Sequence, residues 1–306
     1  MKDSSRVYTA KDFARCRMDN QNSLTSDSAG FWMRLYEKWK GNKLAIACSI
    51  ILLVIVLASI LAFLSPYDPN SMNVRETLEA PSIRHLFGTD SFGRDYFTRA
   101  LYGGRISLLV GIGSAIFSVV VGTAIGTISG YVGGVLDAVI MRVTDCFLAL
   151  PSFLLMVVLN AIITPGVPTL ILVISFFSWP SMARIARAQT MTIKERDYVA
   201  ASKALGGNSI WIIVRHVIPN MIGEIIVTLS LIIAQAILTE ASLSYLGLGV
   251  QLPKASWGSM LQDAQSSFLV HPSLSIYPGL LILLTVLSFN ILGNLVRDAL
   301  ETRSSR

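Results

Sequence analysis

The chain is 306 residues long, 53% hydrophobic and only 14% charged, with a mean hydropathy of +0.59. That excludes an ordinary soluble domain, in which about a quarter of residues carry charge. The formal charge of +6 comes from Lys and Arg gathered in a few short segments, a pattern that orients a membrane protein and not one that grips nucleic acid.

Residues 1–43 are mostly polar and read as a cytoplasmic tail. Near its end Phe31, Trp32, Leu35, Tyr36 and Trp39 recur at near-helical spacing among Arg34, Lys38, Lys40 and Lys43, as in a helix lying at the lipid headgroups. A plain extension of the first span fits those residues equally. Residues 44–64 form an uncharged run of about 21 residues that reaches roughly 31 Å, which predicts a retained transmembrane helix and not a cleaved leader.

An external segment, 65–105, carries five Arg and a similar number of acids. Asp90 and Arg94, then Asp95 and Arg99, stand four apart with the acid first, which predicts a short helix ended by Gly103-Gly104. A core membrane domain, 106–296, holds five further predicted spans: 106–130, 143–163, 167–183, 222–243 and 277–296. In the first of these Ser114, Ser118, Gly122, Gly126 and Gly130 repeat every four residues, a stripe of small side chains expected to pack closely against another helix. Thr164, Pro165, Gly166 and Pro168 mark a tight reversal. Trp179-Pro180 is expected to end the next span in a kink, with Arg184 and Arg187 snorkelling beyond it; stacking of a substrate on Trp179 is the secondary reading.

Asp145 and Glu240 fall inside spans, where a central charge costs roughly 2.5–3.5 kcal/mol, so each must face the bundle interior or water. Arg142, one turn away, is the expected partner of Asp145, in a structural pair more than a substrate contact. Glu240 has no evident partner in its own helix and is expected near the outer end of its span, in a structural or a pathway role. With the N-terminus inside, about 19 of the 25 Lys and Arg lie in the cytoplasm, including those of a C-terminal tail, 297–306.

The cytoplasmic loop 184–220 is long enough to carry its own fold. A helix is predicted over 192–205, with small residues Ala200, Ala201, Ser202 and Ala204, stopped by Gly206-Gly207. Asn208 or Ser209 caps a second helix, 210–217, apolar apart from Arg215 and His216 and ended by Pro219. Such a knob, rimmed by Lys194, Arg196 and Lys203, suits a cleft on another protein; a loop packed beneath its own bundle fits equally well.

Other classes find little support. Cys16, Cys48 and Cys146 are scattered, and His85, His216 and His271 lack ligand spacing, so no disulfide framework or metal site is expected. No G-x-x-x-x-G-K-[ST] cradles phosphates, and neither a Ser-His pairing nor a His-Glu-x-x-His helix lies in the spans. An ion-coupled carrier would relay through Asp145 and Glu240 but would want matching broken helices in two halves.

Tyr198 to Gly206, Y-V-A-A-S-K-A-L-G, followed by Arg215 to Asn220, R-H-V-I-P-N, resembles the EAA loop of ABC importer permeases. The resemblance implies an all-α polytopic fold of the type I importer class with about six transmembrane helices. It also implies that the loop, from Tyr198 through Lys203, Leu205 and Gly206 to Arg215, His216 and Pro219, contains the coupling helix that inserts into a cytoplasmic ATPase. Ala200 stands where the family usually has Glu, so no ion pair is expected from that position.

S-P-Y-D-P from Ser65, F-G-T-D-S-F-G-R-D from Phe87, Y-G-G-R-I-S-L-L-V-G from Tyr102, L-A-L-P-S from Leu148, L-S-Y-L-G-L-G-V-Q-L-P from Leu243 and S-W-G-S-M-L from Ser256 resemble the oligopeptide, dipeptide and nickel permeases, and their C-type subunit in particular. That resemblance implies a bacterial plasma-membrane subunit working beside a B-type permease, two ABC ATPases and an extracytoplasmic substrate-binding protein. ATP and Mg would be used by the ATPases, with no cofactor bound to this chain. A di- or oligopeptide is the default cargo; nickel, a metal chelate or glutathione share the motifs.

Overall fold

The computed structural model describes residues 31–301; the rest of the polar tail, Cys16 included, and the last five residues lie outside the described residues. Five helices are long and apolar enough to cross a membrane, and a bent helix pair is together apolar enough to count as a sixth candidate span. In chain order α1 is Phe31–Gly41 and α2 is Lys43–Ile60, prolonged by a 3-10 turn at Leu61–Leu64. Then come α3, Tyr96–Val132; α4, Gly134–Ala149; α5, Ser152–Ile162; and α6, Val167–Lys194. Three short helices follow, α7, Asp197–Ala204, α8, Ser209–Ile212, and α9, Ile218–Asn220. The chain ends with α10, Ile222–Tyr245, α11, Trp257–Ala264, and α12, Ser273–Glu301.

Helix α1 is a separate element and not an extension of α2. Asn42 breaks the run, and its side-chain oxygen caps α2 by accepting from the N–H groups of Leu44 and Ala45 at 3.0 and 3.2 Å. The Trp39 indole donates to Ser49 and the Lys38 ammonium to the carbonyl of Asp298, so α1 is tied to both α2 and α12.

The closest helix pairing is α3 with α6. The small-residue stripe faces α6: a methyl added to Gly126 would stand 2.2 Å from the Ala183 carbonyl oxygen and 2.8 Å from the Ala186 Cβ. Ser114 donates to the Ile171 carbonyl and Ser118 to the Ser114 and Ser175 carbonyls, while Gly122 and Gly130 meet backbone and side chains of α6 at the same close range. With no hydrophobic effect to gather helices in lipid, such close backbone approach supplies the attraction.

Several boundaries differ from expectation. Gly103-Gly104 does not stop a helix; α3 runs through it, because the glycines let Ser256 and the Trp257 ring lie against the backbone. Asp90 and Arg94 pair across a turn at 2.6 Å, and Asp95 is the N-cap of α3, accepting from Thr98 N–H at 2.7 Å. Pro180 is inside α6, which continues to Lys194 because packing against α3 outweighs the one lost backbone bond. The span expected over 143–163 bends by 82° between α4 and α5. Pro151 forces Leu150 out of helical geometry, to φ −85° and ψ 143°.

The end of the bundle opposite α7 is closed by residues 65–95 with α11. Arg94 and Arg99, each 1% exposed, share Asp90 and Asp263 at 2.6–3.7 Å. Burial raises the Asp263 carboxyl above its usual range, against the pull of Arg99 and Arg94. His85 donates or accepts at 2.8 Å with Asp95, a carboxylate neighbour that sequence spacing did not reveal. Arg105 clamps the end of α2 by donating to the carbonyls of Ser59 and Ile60, both at 2.6 Å.

Candidate functional site

The loop between α6 and α10 folds into a protruding knob. The helix expected over 192–205 is shorter than predicted, because Arg196 adopts extended geometry and separates α7 from α6. Gly206 ends α7 with φ +84°, donating to the Lys203 carbonyl, while Gly207 donates to that of Ser202, both at 3.0 Å. This pair of bonds is a Schellman stop, and a side chain at Gly206 would be strained in it. The Asn208 side chain then accepts from Ile210 N–H at 3.3 Å to begin α8. The second helix is also shorter than expected, passing through a π turn at Ile213–Val217; Pro219 starts the last turn, α9, instead of ending the helix.

Three apolar side chains anchor the knob. Val199, Ile212 and Val217, each at most 2% exposed, pack in one cluster with Val119 of α3 and Met182, Ala186 and Ile193 of α6. Its outer surface is apolar and open, with Leu205 90%, Ile210 71%, Val214 59% and Trp211 52% exposed. Ala200, Ala201, Lys203, Ala204, Arg215 and Pro219 are exposed on it, Ser202 and His216 partly so. The His216 ring sits between those of Tyr198 and Trp211, 5.9 and 5.1 Å away. Lys194 leaves the expected cationic rim and donates to the Gly130 carbonyl at 2.9 Å, closing the end of α3.

The bend between α4 and α5 opens a cavity of about 380 Å3 against α6 and α10. Its apolar wall includes Phe147, Phe153, Met156 and Phe177; its polar groups are neutral. Trp179 does not line it but packs edge-on against Phe147, 5.6 Å between centroids. Asp145 pairs with Arg184 at 2.6 Å, not with the expected Arg142, since α6 brings Arg184 alongside α4. One turn further on, Asp137 accepts from Arg187 at 2.5 and 2.6 Å and from Ser129 at 2.5 Å, a bracket the sequence reading missed because its members lie on three helices.

Glu240 stands in the last turns of α10, remote from the knob as expected, but it is fully buried and accepts from Ser107 at 2.8 Å and from Ser244 of its own helix at 2.7 Å. Ser107 also accepts from the Trp257 N–H, so Glu240 joins α3, α10 and α11 in one hydrogen-bonded node away from the cavity. Among the described residues no three His, Cys, Asp or Glu side chains gather as a metal cluster.

Comparison with known proteins identifies the family. Residues 122–306 match the model of the binding-protein-dependent transport system inner membrane component, and residues 30–81 match that of the N-terminal TM domain of oligopeptide transport permease C. The oligopeptide transport system permease protein OppC of Bacillus subtilis (strain 168) is 37% identical over 291 residues, covering 95% of both chains. The glutathione transport system permease protein GsiD of Pectobacterium atrosepticum is 38% identical over 274 residues, covering 89% of this chain and 91% of that one. GsiD of Escherichia coli O6:K15:H31 is 35% identical over the same length. The chain therefore belongs to the binding-protein-dependent inner-membrane transport family, as an ABC importer permease of the oligopeptide and glutathione type.

Proposed function

We propose that this permease forms, with a second B-type permease, the membrane path for a di- or oligopeptide handed over by an extracytoplasmic binding protein. Two cytoplasmic ABC ATPases, which bind ATP and Mg, supply the energy, and this chain binds no cofactor and performs no chemistry. The observation that carries the reading is the knob. Exposed Leu205, Ile210, Trp211 and Val214 cost free energy in water and call for a cover, while Val199, Ile212 and Val217 beneath them grip α3 and α6. A push on the knob moves α6, and α6 carries Phe177, Ser178 and Ser181 into the cavity wall, so ATPase closure reshapes the path.

The choice of peptide as cargo is supported by the match of residues 30–81 to the oligopeptide permease C model and by the OppC relative that spans both chains almost entirely. Glutathione is the second reading, on the strength of the GsiD relatives. The excess of Lys and Arg at the knob end supports an orientation with the knob and both termini in the cytoplasm. The test is to place a cysteine at Ala201, label it from each face of the membrane, and ask which proteins co-purify with the chain. Labelling from the cytoplasmic face alone and co-purification of ATPases that is lost in Trp211→Asp are expected; labelling from outside would end the reading.

A further inference from the structure

We infer that the cavity at the α4–α5 bend is a subsite for the amide groups of a peptide backbone, read without regard to side-chain charge; this deepens the permease function proposed above. The polar groups are arranged for it. The hydroxyls of Ser178, Thr239 and Ser242 each donate their one proton to the carbonyl four residues back, of Ile174, Gln235 and Leu238, all at 2.8 Å. What they turn toward the cavity is lone pairs, which accept from N–H donors.

The side chains of Ser152, Ser181 and Gln235 make no hydrogen bond among the described residues, so their donors and acceptors remain for a ligand. Gln235, Ser181 and Ser242 are exposed on spanning helices, where unsatisfied polar groups against hydrocarbon are costly. That cost places something hydrated or hydrogen-bonding there, not lipid.

No charged side chain lines the cavity: Glu240, next to Thr239 in the chain, is buried and held by Ser107 and Ser244, and Asp145 and Arg184 neutralise each other at 2.6 Å. With no fixed charge in the wall, charged ends and side chains of either sign are neither drawn in nor singled out, and they stay hydrated at the open mouth. Neutral N–H and C=O groups in alternation fit the acceptors and the free amide and hydroxyls. The soft apolar wall of Phe147, Phe153 and Met156 takes side chains of differing shape. At about 380 Å3 the space falls within the usual range for a small-ligand pocket.

The test uses the whole complex purified through this chain, with Cys16 and Cys146 replaced by Ser and a reporter cysteine introduced as Leu238→Cys or Leu148→Cys, two apolar positions of the cavity wall whose side chains make none of the proposed hydrogen bonds. Both sites are exposed, and ATP-driven uptake in proteoliposomes establishes that each variant is intact. Trialanine at ten times its half-saturating concentration should slow maleimide labelling of either cysteine about tenfold. Trilysine and triglutamate should do the same, whereas trisarcosine, whose amide nitrogens are methylated, should not protect. Protection by trisarcosine, or protection that follows side-chain charge, overturns the inference. Absence of protection in a complex that takes up trialanine overturns it while leaving the permease function standing. A complex that takes up no peptide removes both.

Discussion

Replacing Gly126 by Ala tests whether the α3–α6 contact is what holds the bundle together. An ideal Cβ at Gly126 lies 2.2 Å from the Ala183 carbonyl oxygen, 3.0 Å from its carbon and 2.8 Å from the Ala186 Cβ. Unstrained carbon–oxygen contacts begin near 3.3 Å, so the two backbones must part by about 1 Å. A carbonyl in a helix cannot swing aside, and the displacement is passed along the stripe to Gly122 and Gly130. Overpacking of this kind costs about 1–3 kcal/mol. Alanine also favours helix over glycine by about 1 kcal/mol, which blurs a single measurement. Gly279, in α12 with nothing within 4 Å of its Cβ position, removes that ambiguity. The propensity gain is common to Gly126→Ala and Gly279→Ala, so the gap between them is the steric cost, about 1–3 kcal/mol. The assay is the temperature at which half of the detergent-purified protein remains monodisperse after heating. Gly279→Ala should match or exceed the parent and Gly126→Ala should fall below it. Equal heat resistance of the two variants would refute close packing as the source of cohesion.

Three further outcomes are expected. Ala201→Glu places a charge on the exposed face of α7, and if that face is buried against an ATPase it should cut uptake about tenfold or more while hydrolysis continues, read as transport per ATP in proteoliposomes. Asp137→Arg and Arg187→Asp should each lower heat stability, and the double exchange should recover part of the loss, with a coupling of about 0.5–3 kcal/mol in a double-mutant cycle. Asp90→Asn leaves Arg94 and Arg99, each 1% exposed, with Asp263 as the remaining carboxylate of the cluster, and should destabilise by about 3–5 kcal/mol in the same heating assay.

What a single sequence reveals here divides along physical lines. Spans, the small-residue stripe and the Gly206 stop were legible, since each rests on local periodicity or on one residue's backbone preference. Helix ends were less so. Gly103-Gly104 and Pro180 look like terminators in isolation, and only the Trp257 ring and the Gly122 face, distant in sequence, explain why the helices carry on. Pro151 did carry a readable signal, because the residue before a proline avoids helical geometry, and giving it weight would have split the third span. Ion partners were the least legible. Asp145 reaches Arg184 across 39 residues, and Asp95 takes His85 where helical spacing offers Arg99, because a four-residue rule describes only neighbours on one helix. The cavity depends on the 82° bend and on α10, and no motif announces it.

Helix α3 has 37 residues and therefore runs about 55 Å, well beyond the roughly 30 Å of bilayer hydrocarbon. One of its ends is roofed by the arginine–aspartate cluster and clamped by Arg105, and the other is held at the Gly130 carbonyl by Lys194, the last residue of α6 before the knob. A single rod thus joins two aqueous compartments. Pivoting it by about 10° at one surface would carry the opposite tip some 9 Å sideways, so any docking partner on that side could sense the nucleotide state across the membrane through leverage alone.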